Sequence, residues 1–130
     1  MNWGSILAKS SSLISRFIES PGMFIEPTPP TSDVFAPEAI AAFVNGADVA
    51  LGGTLLSGLR EWLQVKAGRR SAFAWPGLIA HQRGLLAPTS TRDRAALAQA
   101  YFDELREFDK LRQDSEAIAA AFSEYAKLGK

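Results

Sequence analysis

The sequence predicts an all-α fold: a compact single-domain bundle of five or six helices, with an extended Pro-rich segment near residues 21–36. Three observations carry this. Apolar residues recur at three- and four-residue spacing through most of the chain, the signature of helices with one buried face. No run alternates β-branched and polar residues as a strand would. From Thr91 to Leu128 there is no glycine or proline to interrupt a helix.

The elements follow in order. Ile6, Leu7, Leu13, Ile14, Phe17 and Ile18 share a helical stripe, so residues 3–20 are expected to form an amphipathic helix that Pro21-Gly22 stops. Pro27, Pro29 and Pro30 then demand extended backbone. Met23, Phe24 and Ile25 just before them are expected to dock on the surface of the core. Pro37 and Glu38 suit the first turn of a second helix. Its buried face is Ile40, Phe43, Val44, Ala47 and Leu51, and Gly52-Gly53 ends it. Asn45 and Asp48 fall off that face and read as solvated.

Gly53 or Thr54 is expected to start the helix that carries Leu55, Leu56, Leu59, Trp62 and Leu63 on one face. Gly68, Arg69 and Arg70 break it. A second apolar patch of Phe73, Trp75, Leu78 and Ile79 follows, where Trp75-Pro76 favours a bend with a brief helix after it and Pro76-Gly77 could equally hold a turn. Ser90 with Asp93 three positions on approximates a capping box. Leu97, Tyr101, Leu105, Phe108 and Leu111 form one stripe; Ile118, Phe122, Tyr125 and Leu128 form another. A single helix over residues 91–128 is one reading. A break near Gln113-Asp114-Ser115 is favoured, because Asp and Ser are good N-cap residues.

Composition bounds the function. A chain of 130 residues, 47% hydrophobic and 22% charged, is long enough to bury a core without metal or disulfide support. It has no cysteine, which removes disulfides, thiol nucleophiles and zinc–thiolate sites and gives no sign of secretion. Cytoplasm is the default compartment. The N-terminal run MNWGSILAKSSSLISRF lacks a positive n-region and a cleavage site, so it does not read as a signal peptide. Residues 39–59 are apolar, but Asp48 at mid-bilayer would cost about 2.5–3.5 kcal/mol and four glycines punctuate the run. No membrane span is expected.

Net charge is zero but unevenly spread. Residues 1–51 carry −3 and residues 91–130 carry −1. Residues 52–90 carry +4, from Arg60, Lys66, Arg69, Arg70 and Arg83 against Glu61. That is well short of the strongly basic surface nucleic-acid binding usually needs, so nucleic acid is disfavoured as a partner.

Catalytic signatures are missing: no Walker loop, GxGxxG, HExxH or GxSxG occurs. Leu56-Ser57-Gly58 is half a nucleophile elbow inside a predicted helix, and Ser57 reads as a small helix-contact residue. His81 is the only imidazole, and Glu61 could orient it only if the 72–83 segment folds back along the preceding helix. No catalytic residue, cofactor or metal is therefore expected. Two candidate sites remain. Asp103, Glu104, Glu107 and Asp109 make an acidic helix face that would attract a basic protein partner. Arg69, Arg70, His81 and Arg83 make an alternative anion site.

The run GLREWLQVKAGRRSAFAWPGLI, with its Glu-Trp-Leu and Ala-Trp-Pro pieces, resembles small bacterial immunity proteins that neutralise a cognate toxin. The likeness spans roughly residues 57–79. It implies a cytoplasmic, non-catalytic role in binding and blocking a toxin domain encoded nearby, and assigns no binding residue. Were that toxin a nuclease, the acidic face around Glu104 and Glu107 would cover its basic active site. Two other readings stand beside it. One is a small nucleotide- or nucleic-acid-binding protein or enzyme using the arginine–histidine cluster. The other is a subunit of a helical assembly, distinguished by a large mass in solution.

Overall fold

The computed structural model describes residues 13–27 and 35–129. Within them every regular element is helical, as expected. Residues 13–19 (α1) are helical, and a single 3-10 turn follows at Pro21–Met23. Then come α2 (Pro37–Ala50), α3 (Leu59–Ala67), α4 (Trp75–Gln82), α5 (Thr91–Arg112) and α6 (Ser115–Lys127). Trp3, Ile6, Leu7, Pro29 and Pro30 lie outside the described residues.

Helix α5 is the spine. Its stripe of Leu97, Tyr101, Leu105 and Phe108 is buried, and α2, α4 and α6 all pack on it. Ile14 and Phe17 from α1, Ile40 and Val44 from α2, Leu59 and Leu63 from α3, and Leu78 and Ile79 from α4 complete one core. Aromatic rings fill its ends: Phe17 lies 4.5 Å from Phe43, and Trp75 meets Tyr101 edge-on at 5.2 Å. The Trp75 indole N–H donates to Asn45 Oδ1 at 2.8 Å, satisfying the polar end of an otherwise buried side chain.

Several boundaries follow local chemistry. Pro37 opens α2 and Pro76 sits in the first turn of α4, where a missing N–H costs nothing. The Ser90 hydroxyl accepts from the Asp93 N–H at 3.0 Å. Asp114 caps α6 by accepting from the Glu116 and Ala117 N–H groups, so two helices, not one, occupy residues 91–127.

Five expectations need correcting. The chain at 21–23 is a 3-10 turn instead of extended backbone, because the Phe24 and Ile25 N–H groups both turn back to the Pro21 carbonyl. Phe24 packs on Phe17 and Phe43, but Met23 is 77% exposed and does not dock. Helix α3 starts at Leu59, not at residue 53 or 54. The Thr54 hydroxyl is turned back to the Leu51 carbonyl, the Asp48 carboxylate takes the Leu56 N–H at 2.9 Å, and Gly58 has φ +92°. Leu55 and Leu56 therefore lie in a tied loop, with Leu55 still buried, and Ser57 is an exposed turn residue. Asp48 and Asn45 are engaged in hydrogen bonds rather than simply solvated. Finally, Glu104 and Asp109 are buried. Each sits three or four residues from members of the apolar stripe, so the helix turns them inward.

Candidate functional site

The corner between α3 and α4 is built by two polar residues one helical turn apart. Gln64 is fully buried; its amide N–H donates to the Arg60 carbonyl and its Oε1 accepts from the Ser71 N–H at 2.8 Å. Arg60 reaches over the same loop, donating from Nε to the Phe73 carbonyl at 2.8 Å and from Nη2 to the Ser71 carbonyl at 2.5 Å. Gly68 closes α3 in the left-handed conformation at φ +75°, which L side chains adopt at a cost. The loop backbone between Gly68 and Trp75 is thereby tied at three points, the Ser71 N–H, the Ser71 carbonyl and the Phe73 carbonyl. Arg60 and Gln64 were not among the sequence-predicted site residues. A buried amide beside Leu63 leaves only a weak signal in periodicity.

This loop sets three of the four residues of the predicted anion site around one cleft of about 270 Å³, lined also by Ser71, Phe73 and Gln82. Arg69 Nη2 lies 3.1 Å from His81 Nδ1, and since a guanidinium can only donate, the ring nitrogen accepts. The His81 ring in turn rests against Phe73, centroids 5.5 Å apart. Phe73, expected in the core, is 42% exposed and forms a wall of the cleft. The Arg70 guanidinium carbon sits over the Tyr125 ring, 3.9 Å from its centroid, and Nη2 donates to the Tyr125 carbonyl at 3.1 Å, pinning the end of α6. Among the described residues neither Arg69 nor Arg70 forms an ion pair. Glu61 does not figure among the partners of His81.

Arg83 is drawn away from this group. Its Nη2 donates to Glu104 Oε1 at 3.0 Å, while Lys66 Nζ binds Glu104 Oε2 and Glu107 Oε2, both at 2.7 Å. Burial acts most strongly on Lys66 and would lower its pKa, but the two carboxylates more than offset this and hold it above the ordinary lysine value. Lys66 also lies 4.5 Å over the Trp62 ring.

The acidic residues are consequently dispersed. Glu104 is enclosed between two cations. Glu107 is exposed but bound to Lys66. Asp103 accepts from Gln99 at 2.9 Å and faces Arg106 at 3.6 Å. Asp109 lines a separate cleft of about 310 Å³ with Glu19 and Ser15 of α1 and with Lys110. The four carboxylates do not share one open face. No group of three or more His, Asp or Glu side chains among the described residues could hold a metal ion, and no helix there is long and apolar enough to cross a membrane.

At the end of α5, Arg112 is a structural cation. It donates to the Thr54 and Leu55 carbonyls at 2.8 and 2.6 Å and so closes the loop ahead of α3. Burial pulls its pKa down, with Asp109 and Asp48 opposing. No protein-family model, curated protein or solved structure matches this chain.

Proposed function

We propose that the chain is a non-catalytic, cytoplasmic protein that binds and blocks one protein partner, in the specific form a toxin domain encoded nearby. One observation carries this reading: the distribution of spent and unspent charge. The carboxylates of α5 are largely engaged within the fold and Arg70 is held on Tyr125, while the exposed Arg69 stands without an ion-pair partner beside a half-exposed phenylalanine. Arginine and aromatic side chains on a rigid support are what interface anchors are made of. The docking face is therefore the α3–α4 corner and not the acidic side of α5, and the surface it fits is acidic with an apolar centre.

His81 supports a non-catalytic role through its neighbours. A general base needs a group that orients it and favours its charged form. His81 instead faces a guanidinium and a phenyl ring.

Growth protection tests the proposal. Co-expression with the toxic product of a neighbouring gene should restore growth for the wild type and fail to do so for Arg69→Glu, with both proteins folded by circular dichroism. Equal protection by Arg69→Glu removes the α3–α4 corner as the docking face. Failure of the wild type to protect against any neighbouring product removes the toxin-blocking role.

A further inference from the structure

The α3–α4 cleft has the chemistry of a small receptor in its own right. Its lining includes Arg69, Arg70, Ser71, Phe73, His81 and Gln82 and contains no carboxylate. The Arg69 guanidinium carries five N–H donors, and its side-chain hydrogen bonds among the described residues go to His81 alone. The Ser71 hydroxyl accepts from the Phe73 N–H at 3.2 Å, which leaves its own proton to donate. Around them the loop is held by Arg60 and Gln64, so little ordering remains to be done on binding.

We propose that this cleft is an oxyanion site that takes a single carboxylate or phosphate group, gripped by Arg69 and Ser71, with the stem of the ligand against Phe73. The planar fork of arginine matches both groups in a bidentate manner. Size limits the occupant. About 270 Å³ lies below the range of roughly 300–1,000 Å³ typical of sites for drug-sized ligands. One acidic group and its stem fit that space better than a whole nucleotide. In the blocking role proposed above, on which only the donor's identity rests, the group is an acidic side chain of the partner. His81 acts as a positioning residue, holding the guanidinium against its ring.

The test is a titration of the isotopically labelled full chain with inorganic phosphate and, separately, with acetate, at matched low ionic strength. The backbone amides of Ser71 and Phe73 and the Arg69 side-chain N–H should shift saturably, with Arg92 and Arg106 on α5 unmoved. Arg69→Gln should weaken binding about ten- to hundredfold, the loss expected for one charge-assisted pair. Arg69→Lys should retain part of the affinity, and Arg92→Gln all of it. Phosphate far tighter than acetate identifies a phosphorylated ligand as the source; comparable binding identifies an acidic side chain. Shifts that never saturate, or that spread equally to Arg92 and Arg106, overturn the site. So does unchanged binding by a folded Arg69→Gln.

The two proposals fail separately. Saturable phosphate binding with no protein partner recovered leaves the anion site standing and removes the blocking role. Partner binding indifferent to Arg69→Gln, without phosphate binding, does the reverse.

Discussion

Replacing Glu104 by glutamine removes one charge from the middle of a three-residue network at almost constant shape. The carboxylate is 5% exposed and accepts from Lys66 at 2.7 Å and Arg83 at 3.0 Å. A hydrogen bond to a charged group is worth about 1.5–3 kcal/mol, against about 0.5–1.5 kcal/mol for a neutral one. The amide keeps one acceptor, so one of the two bonds is weakened. Its NH₂ must face the other cation, so the second bond is lost and a donor opposes a donor. Part of this is returned, because the buried carboxylate no longer has to be desolvated and both cations can turn to water. Lys66 also retains Glu107. The net loss is about 2 kcal/mol, or roughly 6–10 °C in Tm for a chain of this size.

Urea and thermal denaturation followed by far-ultraviolet circular dichroism at neutral pH measure the loss. Glu107→Gln is the internal control: its side chain is 60% exposed, and exposed pairs contribute about 0–1 kcal/mol. A Glu104→Gln protein within about 0.5 kcal/mol of Glu107→Gln would refute the idea that Glu104 is a structural charge rather than part of an open acidic face.

Three further outcomes are expected. Gly58→Ala should destabilise by about 1–2 kcal/mol, since φ +92° is strained for any Cβ; the contact of 3.0 Å with the tip of the half-exposed Phe122 ring adds little, and Phe122→Ala should not rescue it in denaturant melts. Asp114→Ala should cost about 1 kcal/mol and increase amide exchange in the first turn of α6, with α5 unaffected. Stability should fall in alkali: the Lys66 pKa is raised on folding, so its contribution is complete below about pH 10.4 and is lost as pH climbs through the folded value. Lys66→Met should remove that part of the alkaline limb. What then remains includes Tyr101, whose pKa burial, and after it Glu38, pushes up.

Features set by neighbours in sequence were legible in advance. The break between α5 and α6 rests on Asp114 and the N–H groups two and three residues on, and Pro37, Pro76 and Ser90 act just as locally. The start of α3 was not legible, because it depends on Asp48 reaching Leu56 across a loop. Periodicity does contain a signal for the burial of Glu104, which lies three residues after Tyr101 and four before Phe108; a carboxylate there reads as solvated until Lys66 and Arg83 arrive from α3 and the end of α4. The anion cluster was partly legible. Arg69, Arg70 and His81 do meet around one cleft, whereas Arg83 is captured by Glu104. Ser71 and Phe73 join only because Arg60 and Gln64 fold the loop back over α3, a tertiary effect with no local pattern.

Affinity capture from native lysate, supplemented with the products of neighbouring genes, locates the docking face when wild type, Arg69→Glu and Glu107→Lys are run side by side. Wild type and Glu107→Lys should each recover one neighbour stoichiometrically, in a complex stable in moderate salt, and folded Arg69→Glu should lose it. Recovery by Arg69→Glu but not by Glu107→Lys would return the docking face to α5, and recovery of no neighbour at all would contradict the blocking role itself.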